Sequence, residues 1–598
     1  MTGNKKTFTQ WITSGKVNRR LCIITFMLVP LALLTVFTYI PFAKMIGFSF
    51  YDMKYIGSRQ FVGLQNYIEV FTRKDCFNAL KLSLYYFVAS FVQLGLALYF
   101  ATILSFKTKG GGFFKGLMFF PYLVCGIAVG FIFKFFYTRG FVLDTVLQWC
   151  GFKLDSLPYW LKDTSINNIS VAATSVWRYM GQNMVLFIGA IMSVDSSLYE
   201  AAAIDGANGW AKFRYVILPS IKTIIVLNMI LSITGSLSVF EPPYVITGGA
   251  FGTGTYFVIM NKLAHESQKV GLASAMAIVL LILIMIATAI QKWVERYFFG
   301  VGEQEAIYAV KKRKKRLAAE AKAKQIIWTV FKYFTLILGA FVSVLPVIVC
   351  VITAFKTPEE YQSTNVMTMP QSWAYFENFT QAWKQANMGV AFRNSMIILV
   401  FVLIGSVLTG SMIAYILSRF KFKGNGLIRS LFLFASLLPG IAMQVSVYQI
   451  MYTLGWINFL PGYIIMMCGT DIISIYIFIQ FFENISTSLD ESAIMDGCTY
   501  FGVFFRILFP LLKPAIVTVM ILKGVGVYNE YYTANLYLQD KNRLVTVATS
   551  LFKFTGPLGN QYNYICAGVI ITMLPALIVF VVCQKQIYSG LTQGAVKG

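Results

Sequence analysis

The sequence predicts an all-α, polytopic membrane protein. Three observations carry this prediction: an apolar composition, long apolar segments that recur, and a polar motif that occurs twice. Of the 598 residues, 57% are hydrophobic and only 13% are charged, about half the charged share of a typical soluble protein. The mean hydropathy is +0.67. The sequence lacks the alternation of polar and apolar residues that an outer-membrane barrel requires.

Apolar segments of about 20 residues, long enough to cross a bilayer, recur along the whole chain. We count about twelve, six in each half. Basic residues precede the first segment, but it is too long for a signal peptide and no A-x-A site follows, so we predict an uncleaved span. The segments lie near 21–42, 82–106, 113–137, 168–193, 217–240, 270–294, 327–354, 394–418, 427–452, 462–482, 509–530 and 564–586.

The formal net charge of +25 is explained by basic residues at particular helix ends. On a soluble domain such a charge would suggest nucleic acid, but here the positive-inside rule accounts for it. The pattern predicts that both termini and the middle connection are cytoplasmic, and that the protein attracts anionic membrane lipid. These residues are Lys5, Lys6, Lys16, Arg19, Arg20, Lys107, Lys109, Lys115, Lys292, Arg296, Lys421, Lys423, Arg429 and Lys585.

A charged segment rich in Ala and Lys divides the chain. We predict a first half over residues 1–300, a basic cytoplasmic linker over 301–326, and a second half over 327–598. The linker has the composition of a partly helical connection. Its KKRKKR run resembles a nucleic-acid patch, but membrane spans flank it on both sides, so we expect no nucleic-acid partner.

The polar motif is the most informative feature of the sequence. "EAAAIDGANGWAKFRYVILP" at 200–219 returns as "ESAIMDGCTYFGVFFRILFP" at 491–510. At this offset eight of twenty-five positions are identical, where roughly two would be expected by chance. The identical residues in the first copy are Leu198, Glu200, Ala202, Asp205, Gly206, Phe213, Pro219 and Lys222.

Each copy is predicted to form two short helices with a break, which we call the first elbow (200–219) and the second elbow (491–510). A glycine in each copy, Gly206 or Gly497, suits the left-handed position that ends a helix. Asn208 and Thr499 are good N-caps for the next helix. Such a loop could serve only as a connection, but its repetition at the same place in both halves favours a function.

At these residues the chain resembles the EAA loop of ABC importer permeases, with the pattern E-A-A-x-x-D-G-A. Flanking phrases resemble carbohydrate permeases: "VFEPPYVITGG" (239–249) a maltose-permease MalF-type unit, and "AFKTPEE" (354–360), "VYNEYYTANLYL" (527–538) and "GLTQGAVKG" (590–598) a MalG-type unit. The resemblance implies two six-helix permease units of the MetI-like fold in the bacterial plasma membrane. In that family the two units are usually separate chains, so this chain is either a natural or an engineered fusion.

In that family the loop docks into a groove on a cytoplasmic ATPase. The resemblance therefore implies two copies of an ABC ATPase as partners, together with an extracytoplasmic solute-binding protein. Ser492 and Cys498 stand where the pattern usually has alanine, and both are small. The implied ATPase-coupling residues are Glu200, Ala201, Asp205, Gly206, Glu491, Ala493, Asp496 and Gly497.

The chain carries no catalytic motif that we recognise. It has no GxxxxGK[ST] phosphate-binding loop, so we expect ATP and Mg to be bound by the partner ATPase and no cofactor by this chain. A single histidine, His265, excludes an HExxH zinc site, and we expect it at a loop or helix end. The nine cysteines are scattered and predict neither a metal site nor a disulfide framework.

Polar residues at membrane depth are costly and usually face a bundle interior. Here they lie beside aromatic residues, which suits a sugar but also other polar solutes; each could also serve only to join helices. Lys523 and Glu530 are seven residues apart, so we expect them on one helical face, and Lys523 leaves an anionic solute as an alternative to a neutral oligosaccharide. The candidate substrate-binding residues are Gln182, Asn183, Glu241, Tyr244, Lys523, Tyr528, Asn529 and Glu530, with Asp471 nearby.

Two other functions remain open from the residues alone. A twelve-span secondary transporter also has two six-span halves, but its acid- and arginine-containing loop after the second span is not matched by "SFKTKGGGFFKG" at 105–116. A membrane scaffold would need neither a polar lining nor a repeated docking loop. Association with an ATPase separates the importer from both.

Overall fold

The part of the chain that the structure describes is mostly α-helical. The computed structural model describes residues 15–106, 108–192, 194–299, 318–438, 440–469, 471–554 and 561–595. Within these residues two short strands, Tyr51–Met53 and Arg59–Phe61, pair into the one small sheet. The predicted all-α class is confirmed.

Contacts between residues group the chain into two compact units. One comprises Met1–Tyr51 and Val390–Thr546, and we call it the 390–546 unit; the other comprises Asp52–Gly389 and Val547–Gly598, and we call it the 52–389 unit. Each unit therefore contains segments from both halves of the sequence. Most of the predicted linker, up to residue 317, lies outside the described residues, and a helix begins at Ala318.

The 52–389 unit contains the first elbow. Its helices are Gln65–Thr72, Lys74–Ser105, Gly111–Leu123, Gly126–Tyr137, Val142–Trp149, Leu154–Ser156, Asn167–Met192, Ser196–Ile204, Gly209–Lys212, Phe213–Ile217, Leu218–Ser220, Lys222–Leu237, Glu241–Thr247, Tyr256–Asn261, Lys262–Glu266, Val270–Phe299, Ala318–Ala354, Pro358–Ser363, Glu377–Gln385, Val547–Ser550, Leu551–Phe554 and Tyr562–Ala595.

The 390–546 unit contains the second elbow, and the long helix Met388–Arg419 begins at its boundary. Its helices are Gly15–Leu34, Thr35–Tyr39, Ile40–Phe48, Met388–Arg419, Asn425–Leu437, Gly440–Thr453, Leu460–Cys468, Ile472–Asn484, Ser488–Met495, Tyr500–Gly502, Val503–Leu508, Phe509–Leu511, Lys513–Tyr528 and Tyr532–Tyr537.

The described helices include between seven and twelve candidate membrane spans, where twelve were predicted. Seven are long and apolar enough to cross a membrane alone, and five bent pairs raise the number to as many as twelve. The third span is bent by 100° between Gly111–Leu123 and Gly126–Tyr137, and the ninth by 102° between Asn425–Ser436 and Gly440–Thr453. Hydropathy predicted a single span at each of these places and gave no sign of the bend, because a break of two or three residues hardly changes an average over 18 or more.

One apolar cluster holds the 390–546 unit together. Helix Gly15–Leu34 contributes Cys22 and Phe26, which pack with Phe482 and with Phe504 of the second elbow. All four side chains are almost fully buried. Burial of large apolar side chains stabilises a fold, so the second elbow is anchored in the core of its unit through its helical second half.

Candidate functional site

The first elbow has the two-helix structure that its sequence predicts. Its first helix is Ser196–Ile204, and Gly206 follows in the left-handed conformation with φ +75°. The Gly206 amide donates to the Ala203 carbonyl at 3.1 Å and the Ala207 amide to the Ala202 carbonyl at 2.9 Å. This pair of bonds is a Schellman motif, in which a left-handed glycine closes the helix.

The next helix of the first elbow begins at the predicted cap. The Asn208 side chain accepts a hydrogen bond from the Ala211 amide at 2.8 Å, which satisfies an amide that the first helical turn leaves open. A π-helical turn, Phe213–Ile217, leads into the turn that contains Pro219. The long helix Lys222–Leu237 starts directly afterwards.

The second elbow repeats this order of elements. Helix Ser488–Met495 is followed, after its cap residue Asp496, by Gly497, whose φ is +85°. The Gly497 amide donates to the Ile494 carbonyl at 3.0 Å and the Cys498 amide to the Ala493 carbonyl at 2.9 Å. Thr499 caps the next helix by accepting from the Gly502 amide at 3.1 Å. The predicted caps of both elbows are therefore confirmed.

Each elbow carries an exposed apolar residue at the same position. Ile204 is 86% exposed and Met495 is 87% exposed, and the offset between them is the same 291 residues that relates the two motifs. A single exposed apolar side chain is common on protein surfaces, but its recurrence at the same position of both elbows favours a shared contact surface. Exposed residues of the predicted coupling set surround them: Glu200, Ala201, Asp205, Gly206, Glu491, Asp496 and Gly497.

Ala493 differs from the other predicted coupling residues. Its side chain is buried in the core cluster of the 390–546 unit. It therefore supports the second elbow from inside, and its methyl group is not part of the exposed surface.

The first helix of each elbow is attached to its unit by different chemistry. In the second elbow Asp490 forms an ion pair with Arg419, with Oδ2 and Nε 3.0 Å apart and both side chains largely buried. Burial raises the pKa of the Asp490 carboxyl, while the Arg419 charge opposes that rise. At the equivalent place in the first elbow, the Tyr199 ring meets the edge of Phe106, with centroids 5.5 Å apart.

The 52–389 unit brings the partly buried Glu241 into an ion pair with the buried Arg178, a pair that sequence reasoning missed. Glu241 starts the helix Glu241–Thr247, and Arg178 lies in Asn167–Met192. The sequence could have indicated a partner for Arg178, because an arginine at membrane depth is energetically costly without one. Gln182 is one helical turn from Arg178, and the next residue in the sequence, Asn183, is buried. Tyr244 stacks on Phe240 with ring centroids 4.7 Å apart.

Gly126 makes room for this ion pair at the bend of the third span. A Cβ atom at Gly126 would lie 2.0 Å from the Glu241 Oε2 atom and 2.8 Å from the Arg178 Nη1 atom. A larger residue at this position would therefore displace the ends of the Glu241 and Arg178 side chains from the start of helix Gly126–Tyr137. The pair joins three elements: the bent third span, the fourth span and the helix that follows the fifth.

The 390–546 unit holds the other candidate substrate residues. Lys523 Nζ lies 3.9 Å from Asp471 Oδ2, and both side chains are mostly buried. Helix Lys513–Tyr528 ends before Glu530, so the expected shared face of Lys523 and Glu530 is wrong. The Glu530 carboxylate instead accepts from the Thr533 amide and hydroxyl, both at 2.9 Å.

Tyr528 and Asn529 complete this group at the end of the same helix, and both are buried. The eight candidates thus form two groups, one in each compact unit. A separate apolar cavity of about 930 Å³ in the 52–389 unit contains none of them. Its lining, which includes Phe113, Phe120 and Trp373, is almost entirely apolar and contains no charged side chain.

Comparison with known proteins assigns the fold to a family. The model for "binding-protein-dependent transport system inner membrane component" matches residues 93–299 and again 406–592. The probable ABC transporter permease protein YurM of Bacillus subtilis (strain 168) is 34% identical and aligns over 46% of this chain and 88% of its own length. YurN of the same organism, also a probable ABC transporter permease protein, is 31% identical over 48% of this chain and 100% of its own.

A third relative is the melibiose/raffinose/stachyose import permease protein MelC of Bacillus subtilis (strain 168), 30% identical over 42% of this chain and 91% of its own. Among solved structures, a bacterial ABC transporter involved in the import of the acidic polysaccharide alginate aligns with a TM-score of 0.41 at 20% identity, over 46% of this chain and 99% of that chain. Each relative thus uses most of its own length to match under half of this one. The chain belongs to the family of binding-protein-dependent transport system inner membrane components, and it carries the family's domain twice.

Proposed function

We propose that this chain supplies both permease units of an ATP-driven importer for carbohydrates, most suited to a neutral oligosaccharide. The chain supplies the translocation pathway and couples to two copies of a separate ATPase, one at each elbow. One observation carries the proposal: both compact units display the same capped elbow with the same exposed apolar tip. Family membership argues against the secondary transporter and the scaffold.

The elbows have the chemistry of a docking surface. Ile204 and Met495 offer apolar contact area at the centre, and the carboxylates of Glu200, Asp205, Glu491 and Asp496 surround them. An apolar centre with a polar rim is the usual arrangement of a protein interface. The Schellman hydrogen bonds around Gly206 and Gly497 order each tip, and we expect a displacement of the tip to move the long helix that follows it.

Coupling needs only a partner whose shape depends on ATP. The ATPase, which binds ATP and Mg, closes as a dimer and moves both elbows together. The cycle is driven by the differential affinity of ATP for the two states, because tight binding alone shifts no equilibrium. The permease itself is non-catalytic in this proposal.

The assignment to sugars rests on relatives and on the lining. MelC is described as a melibiose, raffinose and stachyose permease, and AraQ of Halalkalibacterium halodurans, 28% identical, as an arabinooligosaccharide permease. Asp471 offsets the charge of Lys523 and Arg178 that of Glu241. Paired charges favour a neutral solute over the sugar acid or glycerol phosphate that Lys523 alone would suggest.

The topology follows from the charge distribution. The termini, the linker and both elbows lie in the cytoplasm of a bacterial cell, with the ATPases, and the solute-binding protein delivers the sugar from outside. Basic side chains at the cytoplasmic helix ends contact anionic lipid.

Reconstitution in proteoliposomes tests the function. The chain is purified with its co-expressed ATPase, and labelled raffinose is supplied outside with the binding protein. We expect accumulation that requires ATP inside and binding protein outside. Accumulation driven by a proton or sodium gradient without ATP would contradict the proposal, and uptake of a sugar acid but not raffinose would contradict its neutral-sugar part.

A further inference from the structure

The N-terminal helix supplies a hydrogen-bond acceptor to the second elbow. The Asn18 side-chain oxygen accepts from the Tyr500 amide at 3.0 Å, across 482 residues of sequence. Asn18 is only 5% exposed, so this contact belongs to the interior of the 390–546 unit. A buried polar side chain this far from its partner in sequence is ordered by the tertiary fold, not by local turn chemistry.

Tyr500 occupies a position where an acceptor is needed. It is the first residue of the short helix Tyr500–Gly502, and the amides of a first helical turn have no partner inside the helix. Thr499 satisfies the Gly502 amide, and Asn18 satisfies the Tyr500 amide. The second helix of this elbow therefore has two caps, one local and one from the N-terminal helix.

The same face of the N-terminal helix packs along the elbow. Asn18, Cys22 and Phe26 are four residues apart and so lie on one face. The Phe26 ring meets Phe501 and Phe504 with centroids 5.2 and 4.9 Å apart, both edge to face. The hydrogen bond thus sits at the end of an apolar contact that fixes how the helix approaches the elbow.

The first elbow provides an internal comparison. Its second helix has the local cap Asn208, and among the described residues no side chain from a distant helix accepts from the Gly209 amide. Trp210, equivalent to Phe501, is 71% exposed, and its ring meets that of Phe213 in the same elbow. The two elbows therefore share their local structure but differ in their support.

We propose that Asn18 is a positioning residue for the second elbow: by capping Tyr500 it sets where the second helix of that elbow begins, and so how an ATPase contact at Met495 is transmitted to Lys513–Tyr528. The coupling part rests on the proposed function, whereas the positioning part concerns the chain alone. Asn18 touches neither ATPase nor sugar in this account.

Hydrogen exchange measured by mass spectrometry on the full chain tests the positioning. Asn18→Leu keeps the approximate shape but removes the acceptor, and Asn18→Asp keeps the acceptor. In Asn18→Leu we expect the hydrogen-exchange rate of the 498–506 amides to rise about fivefold, which is the change in the opening equilibrium that the loss of one helix N-cap typically causes. In Asn18→Asp we expect the rate to stay near that of the wild type. The first elbow, 196–220, should not change in either variant.

Two results would overturn the positioning. Unchanged exchange at 498–506 in Asn18→Leu would mean that the hydrogen bond does not order the elbow, and an equal rise at 196–220 would mean general destabilisation. In the complex with its ATPase, Asn18→Leu should lower the ratio of sugar-stimulated to basal ATP hydrolysis, and Asn18→Asp should restore it. A loosened elbow with an unchanged ratio would refute the coupling part, whereas a wild-type chain that binds no ATPase would refute the proposed function and leave the positioning intact.

Discussion

At the scale of single residues, the 52–389 unit is organised around charges that its membrane position makes expensive. Arg178 and Glu241 neutralise one another at the bend of the third span, where Gly126 leaves the space. Neither residue could be left alone there, since an unpaired buried charge costs far more than the pair. The pair is therefore a constraint on which substitutions the unit tolerates.

Glu241→Leu should destabilise the protein by about 3–5 kcal/mol, because it leaves the Arg178 charge buried without a partner. The double variant Arg178→Met with Glu241→Leu should recover most of that loss, since no charge remains. Thermal unfolding in detergent measures both. A double variant no more stable than the single one would show that the ion pair does not cause the loss.

His265 is expected to stay neutral at physiological pH. Burial lowers its pKa from 6.5 to about 4, and its Nδ1 lies 3.1 Å from the Tyr55 hydroxyl. The unfolded chain takes up this proton first, so stability should fall as pH drops from about 6.5 towards about 4.

Because the chain has one histidine, NMR of histidine-labelled protein can follow this ring directly. We expect no titration of the folded protein between pH 7 and 5.5, and a smaller loss of thermal stability over the window in His265→Gln. A ring that titrates near 6.5 would contradict the account.

At the scale of elements, both elbows depend on a glycine in the left-handed conformation. No atom lies within 4 Å of a Cβ placed at Gly206 or Gly497, so a substitution there changes only backbone strain. Gly206→Ala and Gly497→Ala should each weaken the elbow locally by about 1–2 kcal/mol. Asparagine, which tolerates this conformation, should cost less.

Hydrogen exchange across 196–220 and 491–510 measures this effect. Gly209→Ala is the matched control, because Gly209 also has open space around it but not a positive φ. Equal effects of alanine at Gly206 and Gly209 would mean that the left-handed turn is not what holds the first elbow.

These elbows were predictable because their determinants are local. Gly206, Asn208 and Pro219 each act within a few residues, and the repeat offered the pattern twice. The 100° bend of the third span was not predicted from hydropathy. At the bend Gly126 lies against Glu241, 115 positions away in the sequence, and a local window does not reveal such long-range packing. The pairing of Arg178 with Glu241 was missed for the same reason, although the sequence showed an arginine within a predicted span, where an unpaired charge is energetically costly.

At the scale of the whole molecule, the compact units cross the division drawn from sequence. The N-terminal helix belongs with 390–546, and helix Ala318–Ala354 belongs with 52–389. Repeated hydropathy and repeated motifs reveal two copies of a domain, but they do not reveal which helices associate. Long-range association depends on shape and packing, which no local window contains.

The topology predicts which cysteines can be reached from outside. Cys150 is exposed in the connection between the third and fourth spans, on the predicted outer side. Cys498 lies in the second elbow on the predicted inner side. A membrane-impermeant maleimide applied to right-side-out vesicles should label a variant that keeps only Cys150, and a variant that keeps only Cys498 should react only after the vesicles are opened. The reverse pattern would contradict the topology.

In the proposed function one chain docks two ATPases, one at each elbow, and counting the bound ATPases tests this directly. Native mass spectrometry of the chain purified with its co-expressed ATPase counts them, in wild type, Ile204→Asp, Met495→Asp and the double variant. Both tips are almost fully exposed, so these changes spare the fold, and Ile56→Asp, at an isoleucine that is 67% exposed elsewhere, is the matched control. We expect two bound ATPases per chain in the wild type and in the control. We expect fewer bound ATPases in each single variant and none in the double variant. A double variant that still holds two ATPases would contradict the proposed docking.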